Sequence, residues 1–191
     1  MKKSSLVLLA SLALFISCGS SDDKEKKEDF FPVDAFLKSQ IAQVDTTLNT
    51  IRQFLYIDSS RTDTIYIRRE NFRAVAKDFI GLPDISASKY SDRYTETKQF
   101  DESINRVLLV YTPVKPEQEL IQRQEVLIQP DPAAGDKIKT IIINTSINTK
   151  DSAVQKRMLW QVDKSFQVVT IKQLPGQPET TTTTRVVWNE E

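Results

Sequence analysis

The chain has 191 residues, of which 39% are hydrophobic and 27% charged, a composition typical of a folded protein with one domain-sized core. Its 26 basic side chains balance its 26 acidic ones, so no basic surplus neutralises phosphates and we expect no nucleic-acid partner. Histidine is absent and cysteine occurs once, which excludes histidine-based catalytic triads, an intrachain disulfide and the usual zinc sites. With four glycines, the chain contains no P-loop or dinucleotide-binding motif. We therefore predict neither a metal nor a cofactor.

The N-terminal residues have the pattern of a secretion signal. Lys2 and Lys3 supply a positively charged start, and an apolar run interrupted only by Ser11 follows from Leu6 to Ile16. This run is shorter than the roughly 20 residues that a membrane-spanning helix needs. We predict that residues 1–17 are a signal peptide that is removed on export.

The sequence around Cys18, from Phe15 to Gly19, resembles the lipobox of bacterial lipoproteins, in which a small residue (here Ser17) precedes the cysteine. The family usually has leucine three residues before the cysteine, where this chain has Phe15. The resemblance implies that Cys18 carries lipid, with palmitate-type acyl chains, and begins the mature chain. Two or more acyl chains anchor a protein stably, so the predicted partner of Cys18 is the lipid bilayer. The alternative is an ordinary secretory cut after Ser20, which would remove Cys18.

Residues 18–31 are predicted to be the lipid anchor and a charged tether. No side chain of Gly19–Asp29 suits a core, and this segment reaches about 36–40 Å when fully stretched. Ser21-Asp22-Asp23 resembles the acidic export signal that follows the lipid cysteine in some Gram-negative surface lipoproteins. The resemblance implies display at the cell surface, whereas a generic linker would leave the domain facing the periplasm. In both cases the expected location is the outer membrane.

Residues 32–191 are predicted to form a single globular α+β domain that begins with a helix. Pro32 suits the first turn of a helix, and apolar residues then recur at alternating steps of four and three. This stripe consists of Leu37, Ile41, Val44, Leu48, Ile51 and Leu55. It predicts one long helix whose apolar face packs on the domain's own sheet, with a docking face for another subunit as the alternative.

A second helix is predicted from about Glu70, ending before Gly81 and Pro83. Its apolar face consists of Phe72, Val75, Ala76 and Phe79.

The remaining pattern is that of β structure. Thr62–Arg68 alternates and predicts a strand, whereas Ser86–Glu102 is polar and is predicted to be irregular. Six later strands are predicted at Ile104–Tyr111, Glu119–Gln129, Ile138–Asn148, Arg157–Asp163, Phe166–Leu174 and Thr180–Asn189. Short turns between successive strands predict an antiparallel β-meander sheet of about six strands, with the two helices packed on one face. The threonine run Thr180–Thr184 is predicted to be an edge strand, and Trp160 a core residue.

Two patterns in the sequence could indicate catalysis. Ser86 and Lys89 match the S-x-x-K motif of serine enzymes that use a lysine base, but the companion motifs S-D-N and K-T-G are absent. Pairs of carboxylates are the other possibility, because a glycosidase-type hydrolase needs two of them. The available pairs are Asp101 with Glu102 and Asp92 with Glu96.

The candidate ligand-binding residues are Tyr90 and Tyr94, whose rings could stack on a sugar or a peptide. We therefore predict a membrane-anchored envelope lipoprotein whose domain binds or scaffolds a protein or carbohydrate partner without catalysing a reaction. The alternatives are a small carboxylate-dependent hydrolase and a subunit of an envelope complex. A cleft with two facing carboxylates and a raised pKa would favour the hydrolase.

Overall fold

The computed structural model describes residues 29–56 and 61–190. The predicted signal peptide, Cys18 and most of the predicted tether lie outside these residues. The helices of the described part are Val33–Val44 (α1), Phe72–Val75 (α2) and Lys77–Ile80 (α3). Its strands are Ile51–Tyr56 (β1), Thr62–Ile67 (β2), Tyr94–Asp101 (β3), Arg106–Pro113 (β4), Ile121–Gln129 (β5), Lys137–Asn148 (β6), Ala153–Gln161 (β7), Ser165–Gln173 (β8) and Thr180–Val187 (β9).

All of these strands belong to one antiparallel sheet, in the order β2-β1-β9-β8-β7-β6-β5-β4-β3. Strands β3 to β9 form the predicted meander, and the β1–β2 hairpin adds to it beside β9. The α+β class is confirmed, but the sheet has nine strands in the described residues rather than about six. The prediction of an edge strand at Thr180–Thr184 is only partly right. Strand β9 lies between β1 and β8, and Thr183 and Thr184 pair with β1, whereas Thr180–Thr182 pair with β8 alone among the described residues.

The long first helix is only partly confirmed. Helix α1 ends at Val44, and the backbone N–H groups of Thr46 and Thr47 close its last turn through bonds of 3.1 Å to Gln43 and Val44. Leu48 follows in the connection and is 91% exposed. The prediction of helix beyond Val44 is therefore wrong, and its last two apolar positions lie in β1.

The second helix is interrupted at Ala76, whose backbone angles of φ −83° and ψ 8° separate α2 from α3. Both halves keep the predicted buried face, with Phe72 and Phe79 at most 1% exposed. The prediction of an irregular Ser86–Glu102 is wrong over Tyr94–Asp101, which forms β3. Because β3 is an edge strand of the sheet, most of its side chains are polar and exposed, so its alternation is not visible in the sequence.

The core lies between the helices and one face of the sheet. Strand register places Ile141 beside Trp160, Trp160 beside Phe166, and Phe166 beside Val186. These residues form one buried cluster with the following helical side chains: Val33, Leu37, Ile41, Val44, Phe72, Ala76 and Phe79. Trp160 is fully buried, as predicted. Burial of each large side chain contributes roughly 1.5–3 kcal/mol, so the helices are held by the sheet rather than by their own propensity.

Candidate functional sites

The two candidate tyrosines lie near each other at the start of β3, with ring centroids 6.3 Å apart. Tyr90 ends a short 3₁₀ turn, Ser88–Tyr90, and is partly exposed. Two cations lie over the Tyr90 ring: the Lys89 ammonium is 5.0 Å and the Arg93 guanidinium 4.9 Å from the ring centroid. Tyr94 is 1% exposed, so of the pair only Tyr90 presents its ring to solvent.

A buried carboxylate holds this cluster together. Glu119 is 8% exposed, and its Oε1 accepts a hydrogen bond of 2.6 Å from Nε of Arg93. The Tyr94 hydroxyl donates to Glu119 Oε2 at 3.3 Å and lies 3.2 Å from the carbonyl oxygen of Ile121. Burial and the nearby charge of Glu119 raise the pKa of Tyr94. Arg93, Tyr94 and Glu119 are thus bonded to one another within the protein, which indicates that they anchor β3 structurally. A small cavity of about 170 Å³ lies beside them.

Three of the candidate catalytic groups, Ser86, Lys89 and Asp101, are engaged in local contacts. The Ser86 hydroxyl donates to Asp84 at 2.6 Å, whereas Lys89 lies over Tyr90. Asp101 accepts a hydrogen bond from the Ser103 hydroxyl at 2.5 Å, and this bond lowers the pKa of Asp101. A general acid would need the opposite shift.

A groove that the sequence did not reveal opens at the C-terminal end of α1. It consists of a cavity of about 140 Å³ and a larger one of about 430 Å³, which share Asn49, Trp188 and Asn189. We call it the amide groove. Its lining consists of Gln40, Gln43, Val44, Thr47, Asn49, Thr50, Arg52, Tyr66, Asp163, Trp188, Asn189 and Glu190.

Four parts of the fold build the amide groove. The end of α1 and the connection to β1 supply one wall, and the β1–β2 hairpin supplies Arg52 and Tyr66. The β7–β8 turn supplies Asp163, and the segment after β9 supplies Trp188. The backbone N–H of Trp188 donates to the carbonyl of Lys164 at 3.0 Å, which joins the last two parts. The sequence signal was the polar run Asp45–Thr50, which the prediction of a continuous helix obscured.

A further cavity, of about 180 Å³, lies between α3 and the sheet, and its more apolar side includes Leu82, Leu120 and Met158. An ion pair of 2.7 Å between Lys156 and Asp78 lies in its lining. Its volume is below the range of about 300–1,000 Å³ that drug-sized ligands occupy. The amide groove is therefore the better candidate for ligand binding.

Within residues 29–56 and 61–190, no helix has the length and apolar character needed to cross a membrane. In the same part of the chain, no three acidic, histidine or cysteine side chains lie close enough to hold a metal ion. Comparisons of the chain with protein-family models, with curated proteins and with solved structures found no significant match.

Proposed function

We propose that this protein is an envelope lipoprotein, anchored in the outer membrane through acylated Cys18, whose domain binds a ligand without catalysing a reaction. The observation that carries the proposal is the position of the amide groove relative to the anchored end of the domain. The chain enters the domain at Phe30 and Phe31, which are fastened to Tyr111. The Phe30 and Tyr111 rings are 5.1 Å apart, and the Phe31 N–H donates to the Tyr111 hydroxyl at 3.1 Å.

The amide groove lies at the other end of α1 from this entry point. Helix α1 has 12 residues and is therefore about 18 Å long. A lipid on Cys18 would attach the domain to the membrane through its N-terminal side and the charged tether. The groove lies at the far end of α1 from this attachment, so the anchor would not cover it and a ligand would have access to it.

The charged groups of the groove favour binding over hydrolysis. Glu190 forms an ion pair with Arg52, so one of the two carboxylates in the lining is already neutralised. Elsewhere in the described residues, Asp101 and Asp131 have lowered pKa values, in each case because hydrogen bonds stabilise the charged carboxylate. Glycoside hydrolysis needs a carboxyl group with a raised pKa as general acid. The pKa values of Asp101 and Asp131 are shifted in the opposite direction.

The anchor has a direct test. Cys18→Ala should move the protein from the membrane fraction to the soluble fraction, because the acyl chains supply the membrane affinity. Mass spectrometry of the wild-type protein should show acyl chains on an N-terminal cysteine. Ser17→Ala, which keeps a small residue before the cysteine, is the matched control and should remain in the membrane. A wild-type mature chain that starts at Ser21 without lipid would refute the anchor.

The binding role is tested separately, by thermal unfolding of the full-length chain in detergent. A ligand that binds the folded state raises the unfolding midpoint. We expect a deproteinised extract of the cell envelope to raise it, and to do so less for the double variant Gln43→Ala and Asn49→Ala. No rise with any envelope fraction would contradict a binding role.

A further inference from the structure

The amide groove is lined mainly by uncharged polar side chains, with two aromatic rings. We infer that it is a carbohydrate-binding site that takes a neutral, hydroxyl-rich chain. This inference rests on the proposed binding function and names the class of ligand. The larger cavity, of about 430 Å³, is shallow and open to solvent, so it suits a chain that lies along the surface rather than a small molecule that is enclosed.

The carboxamides determine the hydrogen-bonding character of the groove. Four of the lining side chains are amides: Gln40, Gln43, Asn49 and Asn189. Each carboxamide carries donors and an acceptor side by side. A sugar hydroxyl likewise donates and accepts, so neighbouring hydroxyls on a sugar ring complement such groups. Thr47 and Thr50 add hydroxyl groups of the same dual character.

One of these amides is held in place before a ligand arrives. Gln40 Nε2 donates to Gln43 Oε1 at 3.3 Å, and Gln40 Oε1 accepts from the backbone N–H of Asp163 at 3.3 Å. The second bond joins α1 to the β7–β8 turn, where Asp163 has a left-handed φ of 62°. Gln43 and Asn49 are exposed and present their amides towards solvent. Because Gln40 is already held in place, less side-chain entropy of the protein is lost when a ligand binds.

One exposed aromatic ring, that of Tyr66, supplies the apolar contact surface, and the buried Trp188 supports the lining from the core side. Trp188 is 5% exposed and packs against Phe72 with ring centroids 5.2 Å apart, so it forms a rigid part of the lining. Tyr66 is 71% exposed at the rim of the larger cavity. A tyrosine ring combines an apolar face with a hydroxyl. It therefore suits the C–H face of a pyranose, which also has hydroxyl groups at its edge.

The charges in the groove favour a neutral ligand. Arg52 and Glu190 form an ion pair at the rim, and Asp163 adds a negative charge near the smaller cavity. An anionic chain would have to separate the ion pair and would be repelled by Asp163. A cationic peptide would meet one carboxylate among many amides. Neutral sugars incur neither electrostatic penalty.

The test uses the full-length chain in detergent micelles and an array of immobilised glycans. The array holds neutral oligosaccharides of glucose, mannose, galactose and xylose, uronic-acid oligosaccharides, and short cationic peptides. We expect binding to at least one neutral oligosaccharide. The affinity should fall about tenfold in the double variant Gln43→Ala and Asn49→Ala, which removes two hydrogen-bonding side chains. Tyr66→Ala should lower it as well.

Two matched controls separate binding from folding. Asn148→Ala removes an exposed amide on β6, and Tyr56→Ala removes an aromatic ring from the same hairpin as Tyr66; neither residue lines the groove. Both controls should keep wild-type affinity, and circular dichroism should show that all variants are folded. The inference is overturned if no neutral oligosaccharide binds, if only uronic acids or peptides bind, or if the groove variants bind as the wild type does. A positive shift with envelope extract but no oligosaccharide binding would leave the binding role standing and reject carbohydrate.

Discussion

Two buried tyrosine hydroxyls link the stability of this protein to alkaline pH. Burial is the main cause that raises the pKa of both Tyr94 and Tyr111, and the charge of Glu119 adds to it at Tyr94. In the unfolded chain a tyrosine has a pKa of about 10. Below that pH both states hold the proton and stability is unaffected, whereas above it the unfolded state loses the proton first. The free energy of unfolding should therefore fall as pH rises above about 10.

Tyr94→Phe tests this linkage. Above about pH 10, the free energy of unfolding of the wild type should fall by up to about 1.4 kcal/mol per pH unit for each of the two tyrosines. The variant keeps only Tyr111, so its free energy of unfolding should fall half as steeply. At neutral pH the variant should be about 1 kcal/mol less stable, because the hydroxyl proton that Glu119 Oε2 and the Ile121 carbonyl share as acceptors is gone. Urea unfolding at a series of pH values measures both effects. Tyr56→Phe is the control, since Tyr56 is 40% exposed; an equal change in both variants would contradict the assignment.

At the scale of elements, the boundary between α1 and β1 shows how two periodicities overlap. Positions i and i+4 share a face in a helix, and they also share a face in a strand, where every second residue points the same way. Ile51 and Leu55 therefore satisfy both patterns. Ile51 is buried, at 3% exposure, because it lies in β1, whereas Leu48 is 91% exposed because it lies in the connection after the helix has ended.

Ile51 and Leu48 provide a stability test of the boundary between α1 and β1. Ile51→Ala should lower the free energy of unfolding by about 2–5 kcal/mol, because it leaves a cavity in the core. Leu48→Ala should change it by no more than about 0.5 kcal/mol, because the side chain is in solvent. Chemical denaturation of the two variants measures the difference. Similar large losses in both would mean that Leu48 is buried and that the helix continues past Val44.

For the whole molecule, the proposed anchor in the outer membrane would leave the tether to decide on which side of that membrane the domain lies. If Asp22 and Asp23 act as an acidic export signal, replacing both with alanine should retain the protein on the periplasmic side. Added protease should then digest less of it in intact cells, while membrane association through Cys18 stays unchanged. Lys26→Ala with Lys27→Ala is the matched control in the same tether and should stay accessible. Unchanged digestion of the Asp22 and Asp23 variant would make the segment a plain linker.

Local sequence pattern predicted those features that depend on neighbours along the chain. The α+β class, the start of α1, the buried faces at Phe72 and Phe79, the burial of Trp160 and the strands from β4 to β9 all follow from apolar periodicity and turn residues. Such patterns report how a short segment can bury one face, and a short segment contains that information. The same reasoning missed β3, because an edge strand with exposed polar side chains has little alternation to detect.

Only the tertiary structure decided where these elements meet. Because β1 pairs with β9, the threonine-rich strand lies inside the sheet rather than at its edge. This pairing joins residues more than 100 positions apart in the chain. The same long-range contacts bring Gln40, Asn49, Asp163 and Trp188 together in the amide groove. Tyr94 was predicted to lie in a polar segment, but the sheet buries it against Glu119. Spacing along the chain determines which face of a segment is apolar. The groove forms between segments that are distant in sequence, so it depends on how those segments pack together.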